Sequence, residues 1–250
     1  MSMKTLIAKI FIGTYKLEYK LNPAIINQVK NVKRVWNNTT YKDFGLERIA
    51  RLFLVSIQFF FPALYIRDLT GRMGLLARKL GVEVYVIMKL LFPILMFTFK
   101  LTDNIVIYFV TLYFLVETFI YLLSLIFLSD IYARPITYKR SFLLLLINFV
   151  EIGLEYAVLY SYFNSHTIGF FKGEVHSAID IIYFSFVSLS TLGFGDVTVA
   201  NDTGKLIVLA QILTFLLFVG LFLNFYASKI QDATYFNSTN KPKWENDIKK

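Results

Sequence analysis

The chain of 250 residues contains no cysteine, and it has only two histidines, two tryptophans and five prolines. Without cysteine, disulfide bridges and thiolate metal sites are excluded. With two histidines and acids scattered over apolar segments, no catalytic triad, metalloenzyme site or phosphate-cradling loop can be assembled. We therefore predict a protein that is not an enzyme and that needs no cofactor.

Charged residues are also scarce, at 17% of the chain, whereas hydrophobic residues make up 56% and aromatic residues 18%. The mean hydropathy is +0.58. A soluble domain of this length is not so apolar, so the class is an integral membrane protein. The net charge is +9. Because the positive excess lies beside hydrophobic segments, it favours anionic membrane lipids as a partner over nucleic acid.

The hydrophobic segments predict an all-α protein with about four transmembrane helices, since a crossing needs about twenty residues. The predicted spans are Val84–Phe99, Asn104–Leu128, Ser141–Phe163 and Lys205–Tyr226. A shorter apolar segment over 178–190 crosses only part of a membrane at 1.5 Å per residue. Ser177 is a plausible N-cap for this segment, with Asp180 completing a capping box.

The motif Thr191–Asp196, with sequence TLGFGD, follows that short segment directly. Its two glycines alternate with Leu192 and Phe194. Because glycine takes positive φ freely, the alternation lets successive backbone carbonyls point to one side of the chain. Such carbonyls, with the Thr191 hydroxyl, can replace the water shell of a monovalent cation. The alternative is an ordinary Gly-Asp turn. An ordinary turn, however, requires no apolar helix before it and no spanning helix on either side.

The motif resembles the signature of tetrameric potassium channels, Thr-Val-Gly-Tyr-Gly-Asp, with Leu192 for Val and Phe194 for Tyr. The resemblance implies a prokaryotic-type pore-loop channel in which a pore helix and a re-entrant filter loop, 191–196, are repeated in a homotetramer. K⁺ is then the transported ion. The residues implied to coordinate it are Thr191, Leu192, Gly193, Phe194 and Gly195.

Asp196 is implied to support the outer end of this filter. Relatives often place Trp or Glu in the pore helix to bond the filter aspartate, and Phe184 and Val187 stand at those places here. We therefore expect Asp196 to lack a buried partner. Alternatively, Asp196 simply faces outer water and attracts cations.

The resemblance also sets the orientation, because the filter loop faces outward in such channels. The segments 1–51, 67–83, 130–140 and 227–250 then hold 22 of the 26 Lys and Arg residues, all on one side if Leu52–Ile66 does not cross. This is the positive-inside pattern. We therefore predict an interfacial or re-entrant helix at 52–66, cytoplasmic N- and C-termini, and the plasma membrane as location.

The predicted domains are a basic N-terminal region (1–83), a peripheral helix pair (84–128), a pore domain (140–230) and a cytoplasmic tail (227–250). Within the pore domain the outer helix is 141–163 and the inner helix 205–226. The peripheral pair holds one interior lysine, Lys89, and one glutamate, Glu117, which we expect to pair. A steep voltage response needs several charges, each worth about 2.3 kcal/mol per 100 mV, so no classical voltage sensor is predicted.

Five residues of the last helix are candidates for the gate or the cavity lining: Leu216, Gly220, Leu223, Asn224 and Ala227. Gly220 is either a bend point, because glycine weakens a helix by about 1 kcal/mol relative to alanine, or a site of close helix packing. Both alternatives stay open at this point.

Glu151 and Glu155 are one turn apart on one face of the predicted outer helix. An unpaired carboxylate has a high free energy inside a membrane, so both side chains must face protein or water. We expect them to brace the back of the pore helix through Ser185 or Ser188. The function predicted is passive K⁺ conduction; the alternatives are a weakly selective cation pore and a non-conducting regulatory or scaffold subunit.

Overall fold

The computed structural model describes residues 23–38, 43–132 and 138–223. Within these ranges the chain is almost entirely helical. The helices are α1 (Ala24–Asn37), α2 (Gly45–Ile57), α3 (Pro62–Gly71), α4 (Leu75–Thr98), α5 (Ile105–Phe127), α6 (Tyr138–His166), α7 (Ala178–Leu189) and α8 (Asp202–Leu217). A 3₁₀ turn, Gln58–Phe60, precedes α3, and a π-helical segment, Phe218–Leu223, extends α8. Two short strands, β1 (Phe171–Lys172) and β2 (Thr198–Val199), pair antiparallel.

Four of these helices are long and apolar enough to cross a membrane: Leu75–Thr98, Ile105–Phe127, Arg140–His166 and Asp202–Gly220. The two helices of the pair α2–α3 are bent by 67° relative to each other. The pair would add a fifth crossing if it formed one broken span. The all-α membrane fold with about four spans is thus confirmed. In place of the single helix predicted at 52–66, the structure has two helices, α2 and α3, on either side of Phe61. Whether the pair 45–71 crosses the membrane stays a prediction.

The N-terminal helix pair breaks at Phe61, which is extended with φ −105° and ψ 136°. Pro62 then starts α3, where its missing N–H costs nothing because the first N–H groups of a helix have no helical partner. The buried Arg51 of α2 bridges two loops, with its Nε 3.0 Å from the Asp43 carboxylate and its Nη2 2.7 Å from that of Asp130. The pair is therefore tied to the end of α5.

Gly81 lies inside a long helix, although glycine is an unfavourable helix residue. Helix α4 begins at Leu75 and runs through Gly81. A Cβ atom at this position would lie 2.6 Å from Cγ2 of Thr70. Gly81 therefore lets α4 approach α3 closely. The contact between the two helices outweighs the loss of about 1 kcal/mol of helix propensity.

Helix α6 is the centre of the membrane bundle and packs against α4, α5, α7 and α8. Its buried residues include Ile152, Ala157 and Tyr160, each with 1% or less of its surface exposed. Gly153 faces α7 so closely that a Cβ atom there would lie 2.8 Å from the Phe186 ring. The close approach of α6 and α7 fixes where the residues after α7 emerge.

Candidate functional site

Helix α7, the predicted pore helix, has 12 residues, so it is about 18 Å long and too short to cross a membrane. The predicted capping box is present, because the Ser177 hydroxyl accepts from the Asp180 N–H at 3.4 Å and Asp180 Oδ2 accepts from the Ser177 N–H at 2.8 Å. The His176 N–H donates to the same carboxylate at 2.9 Å. The backbone N–H of His176, then that of Ser177, lowers the pKa of Asp180.

The C-terminal end of α7 turns directly into the TLGFGD motif. The N–H of Thr191 donates to the Ser188 carbonyl and the N–H of Leu192 to the Val187 carbonyl, each at 3.1 Å. These are the two hydrogen bonds of a Schellman cap, whose left-handed position is usually glycine. Here Thr191 holds it with φ 58°. A β-branched residue with this φ is strained by roughly 1–3 kcal/mol.

The sign of φ alternates along the motif. It is positive at Thr191 (58°), Gly193 (58°) and Gly195 (81°), and it is not positive at Leu192 or Phe194 between them. This is the backbone pattern required if successive carbonyls are to point to one side. All six residues of Thr191–Asp196 are exposed on the protomer. The assignment of these residues to K⁺ coordination stays a prediction, and the backbone has the alternation that it needs.

Asp196 has a side-chain neighbour that the sequence analysis missed. The Tyr183 hydroxyl of α7 lies close to the Asp196 carboxylate, and the Tyr183 ring stacks on that of Phe194 with centroids 6.5 Å apart and planes 4° apart. Tyr183 is one position before Phe184, where a partner was sought. Tyr183 is itself exposed, so it is not the buried partner that we expected Asp196 to lack.

The outer end of the motif is held by a strap formed from β1 and β2. Phe171 pairs with Val199 and Lys172 with Thr198. Gly173 follows β1 with φ +99°, and a Cβ atom there would lie 2.5 Å from the Asp196 carbonyl oxygen. Only glycine fits without displacing the backbone of Asp196. No local sequence pattern indicates this contact, because it joins residues 23 positions apart.

The candidate gate residues lie at or beyond the end of the inner helix α8. Leu216 is 56% exposed. Gly220 is exposed within the π-helical segment, and an added Cβ atom would meet nothing within 4 Å. Close packing is thus not found at Gly220 among the described residues. Leu223 ends the π-helical segment, and Asn224 and Ala227 lie outside the described residues.

The sequence matches a known protein family. The family model described as "Ion channel" matches residues 84–232, more than half of the chain. The chain belongs to this ion channel family. No curated protein and no solved structure matches it. The match runs from within α4 to beyond α8, so it includes the pore helix and the TLGFGD motif. The channel is a multi-pass membrane protein that transports ions and is not an enzyme, as predicted.

The inner helix of the channel is joined to the pore helix by Gln211, which is fully buried. Its Nε2 donates to the carbonyl and to the hydroxyl oxygen of Ser185, each at 3.0 Å. Its Oε1 accepts from the Tyr160 hydroxyl of the outer helix α6 at 2.7 Å. The Ser185 hydroxyl itself donates to the Gly153 carbonyl at 2.7 Å. The sequence analysis did not single out Gln211, although it is a strongly polar residue within an apolar span.

Four buried charged residues of the channel, Lys89, Glu117, Glu151 and Glu155, form a group between the peripheral pair and the outer helix. Lys89 Nζ is 2.9 Å from Glu151 Oε1 and 3.8 Å from Glu117 Oε2. The expected pairing of Lys89 with Glu117 is therefore found. Glu151 also accepts from the Thr118 hydroxyl at 3.0 Å. Glu155 lies beside Glu151, and both are fully buried.

The partners of Ser185 differ from those expected. Its hydroxyl bonds Gly153 and Gln211 rather than a glutamate. Within the described part of the chain, the Ser188 side chain makes no hydrogen bond to Glu151 or Glu155. Glu151 instead turns toward Lys89 because an opposite charge compensates a buried carboxylate better than a hydroxyl does. Bracing of the pore helix by the two glutamates stays a prediction without a hydrogen bond to support it.

Proposed function

We propose that the channel is a K⁺-selective pore assembled as a homotetramer in the cell membrane. The observation that carries the proposal is the alternating sign of φ over Thr191–Gly195, in a motif that follows a helix ending part-way through the membrane. Thr191, Leu192, Gly193, Phe194 and Gly195 supply the backbone carbonyls. Asp196 supports the outer end, where its carboxylate lies close to the Tyr183 hydroxyl.

Selectivity for a monovalent cation follows from the chemistry of the motif. Residues 191–195 carry no charged side chain, so a cation there is coordinated by neutral carbonyl dipoles. Rings of carbonyls replace the hydration shell of K⁺. Divalent cations are instead held by carboxylates, and the carboxylate of the motif, Asp196, comes after the last proposed carbonyl ligand.

Four copies are proposed because one protomer supplies one strand of carbonyls, and a closed ring around a shared axis encloses the ion. Leu192 and Phe194 are 64% and 65% exposed on the protomer. The inner helix adds an apolar stripe of helical spacing, with more than half of each side chain exposed: Leu206, Leu209, Leu213 and Leu216. These two surfaces suit contact with neighbouring copies and with lipid.

The orientation follows from the distribution of lysine and arginine. The loops on the filter side carry Lys100, Lys172 and Lys205, whereas 22 of the 26 basic residues lie in the four segments assigned to the opposite side. By the positive-inside tendency those segments are cytoplasmic, where they meet anionic lipid headgroups. The proposal places both termini on that side.

Ion flux into liposomes that hold the purified full-length channel tests the proposal, with the reversal potential measured in K⁺ and Na⁺ gradients. We expect flux that prefers K⁺ and is blocked by barium. A Gly193→Ala variant, strained at φ 58°, should lose the preference, whereas Leu192→Val, a step toward the family signature, should keep it. The particle mass in detergent should be four times that of the chain.

Equal permeation of Na⁺ and K⁺ would replace the proposal by a weakly selective cation pore. If a correctly folded preparation reproducibly shows no ion flux, a non-conducting regulatory or scaffold subunit would be favoured. A monomeric or dimeric particle would exclude the shared ring of carbonyls.

A further inference from the structure

Only one assignment of donors and acceptors satisfies all the hydrogen bonds around Gln211. The Ser185 hydroxyl donates to the Gly153 carbonyl, so it must accept the bond from Gln211 Nε2. The second N–H of the same amide donates to the Ser185 carbonyl. The amide oxygen is then left to accept from the Tyr160 hydroxyl. Both donors and the acceptor of the amide are therefore used, which suits a fully buried polar group.

This arrangement connects three helices at one side chain. Gln211 belongs to the inner helix α8, Ser185 to the pore helix α7, and Tyr160 to the outer helix α6. Because Nε2 bonds a backbone carbonyl of α7, it holds the main chain of the pore helix and not only a side chain. A carboxylate could not replace the amide, since it would present oxygen to the Ser185 carbonyl with no donor between them.

The contact lies one turn before the end of the pore helix. The carbonyls of Val187 and Ser188 accept from the N–H groups of Leu192 and Thr191. A tilt or shift of α7 at Ser185 is therefore passed directly to the first residues of the proposed filter. Filters are sensitive to such shifts, because coordination depends on where the carbonyl oxygens lie.

A second contact between the same outer and inner helices provides an internal comparison. The hydroxyls of Tyr156 and Thr214 are 3.1 Å apart. Tyr156 is one turn from Tyr160 on α6, and Thr214 is one turn from Gln211 on α8. This contact joins the outer and inner helices without touching the pore helix.

We propose that Gln211 is a positioning residue for conduction, which holds the pore helix and hence the filter in register with the inner helix through the main chain of Ser185. The inference rests on the proposed function, because it assigns the filter to the residues that follow α7. It gives the inner helix a direct mechanical connection to the filter. Movement of the inner helix therefore alters ion selectivity as well as opening.

The test compares four single variants of the full-length channel in liposomes. Gln211→Met keeps the volume and removes the amide, Gln211→Glu keeps an acceptor and removes both donors, and Tyr160→Phe removes only the bond to Oε1. Thr214→Val is the control that breaks the contact with Tyr156. Hydrogen bonds between membrane helices change equilibria by about threefold on average and by up to about twentyfold.

We expect Gln211→Met and Gln211→Glu to lower the K⁺ over Na⁺ permeability ratio by about three- to twentyfold and to speed the decay of current. Tyr160→Phe should have a smaller effect in the same direction. Thr214→Val should leave the ratio unchanged, although it removes a bond between the same two helices. A Gln211→Met channel with the wild-type ratio, or a Thr214→Val channel with the same loss, would overturn the inference.

Hydrogen–deuterium exchange separates this inference from the proposed function. In Gln211→Met the amides of α7 should exchange at least about threefold faster, with α4 and α5 unchanged, and Thr214→Val should show no such change. This readout needs no current. A silent wild-type channel would therefore remove the proposed K⁺ conduction, while wild-type exchange in Gln211→Met would remove the positioning role.

Discussion

Tyr183 contacts two members of the TLGFGD motif at once. Its hydroxyl lies close to the Asp196 carboxylate, and its ring lies parallel to that of Phe194 at a centroid distance of 6.5 Å. The tyrosine therefore holds the outer end of the motif against the pore helix, while the Schellman bonds of Val187 and Ser188 hold its inner end. The motif is attached to α7 at both ends, and the residues between them are free of side-chain charge.

Replacing Tyr183 by phenylalanine removes the hydroxyl and keeps the ring. Asp196 is exposed, so water screens its interaction with the hydroxyl and we expect a small effect. Current through Tyr183→Phe should decay up to about fivefold faster during sustained conduction. Tyr113→Phe, which loses a bond to the Phe60 carbonyl far from the filter, serves as the control. Equal decay in Tyr183→Phe and wild type would contradict a supporting role.

The sequence was informative wherever a local rule decides the structure. The Ser177–Asp180 capping box, the short pore helix and the glycine pattern of the motif each depend on residues within a few positions of one another. The partner of Asp196 was missed because one residue along a helix turns the side chain by about 100°. Tyr183 and Phe184 therefore point in different directions, and only the packing of α7 decides which of them faces Asp196.

Gly173→Ala should disturb the filter because an added Cβ atom would lie 2.5 Å from the Asp196 carbonyl oxygen. Gly169 provides a matched control, since it also has positive φ (+66°) but open space around an added Cβ atom. Both variants should lose about 1–2 kcal/mol of stability from backbone strain. Only Gly173→Ala should also change the K⁺ over Na⁺ permeability ratio. The same permeability ratio in both variants would show that the contact with Asp196 is not needed.

Lys89→Met should destabilise the channel strongly. Removing one partner of a buried ion pair costs about 3–5 kcal/mol, because the remaining charge is left uncompensated. Lys89 is 2.9 Å from Glu151, and 5% and 0% of the two side chains are exposed. The measurement is the thermal unfolding midpoint of the purified channel, together with the yield of folded particles.

Two variants control this experiment. Lys205→Met breaks an exposed pair with Asp202, also at 2.9 Å, and should leave the unfolding midpoint nearly unchanged because water screens the pair. Lys89→Met combined with Glu151→Gln should recover part of the loss, since the unpaired carboxylate is gone. If the double variant is less stable than the sum of the single variants predicts, the two groups do not act as a pair.

The group around Lys89 also shows the limit of reading helices separately. The sequence analysis paired Lys89 with Glu117 across two adjacent helices and placed Glu151 and Glu155 together on one face of α6. The pairing of Lys89 with Glu151 depends on how the peripheral pair docks against α6. That docking is set by side-chain shape across about 60 residues of sequence, so no periodicity within one helix reveals it. The bond between Gln211 and Ser185 was missed for the same reason.

Stability at low pH should depend on Asp180. The N–H groups of His176 and Ser177 lower the pKa of Asp180 below its ordinary value of 3.8. Because the folded pKa is the lower one, the unfolded chain binds the proton more tightly. The contribution is therefore complete above the ordinary value and is lost as pH falls through the folded pKa. Asp180→Asn should flatten the fall in unfolding temperature below about pH 4, whereas Glu174→Gln, beside His176, should not. Identical acid profiles in wild type and Asp180→Asn would remove this role.

Gly220→Ala tests whether the π-helical segment is the bend of the gate. Alanine favours an α-helix over glycine by about 1 kcal/mol, and the added Cβ atom meets nothing within 4 Å. The variant should therefore straighten the inner helix without a clash in the described protomer. If the bend accompanies opening, the open probability in single-channel recordings should fall about fivefold, with conductance and K⁺ preference unchanged. Ala210→Gly, which adds the same flexibility before Gln211, should not raise opening. An unaltered open probability in Gly220→Ala would show that the gate bends elsewhere.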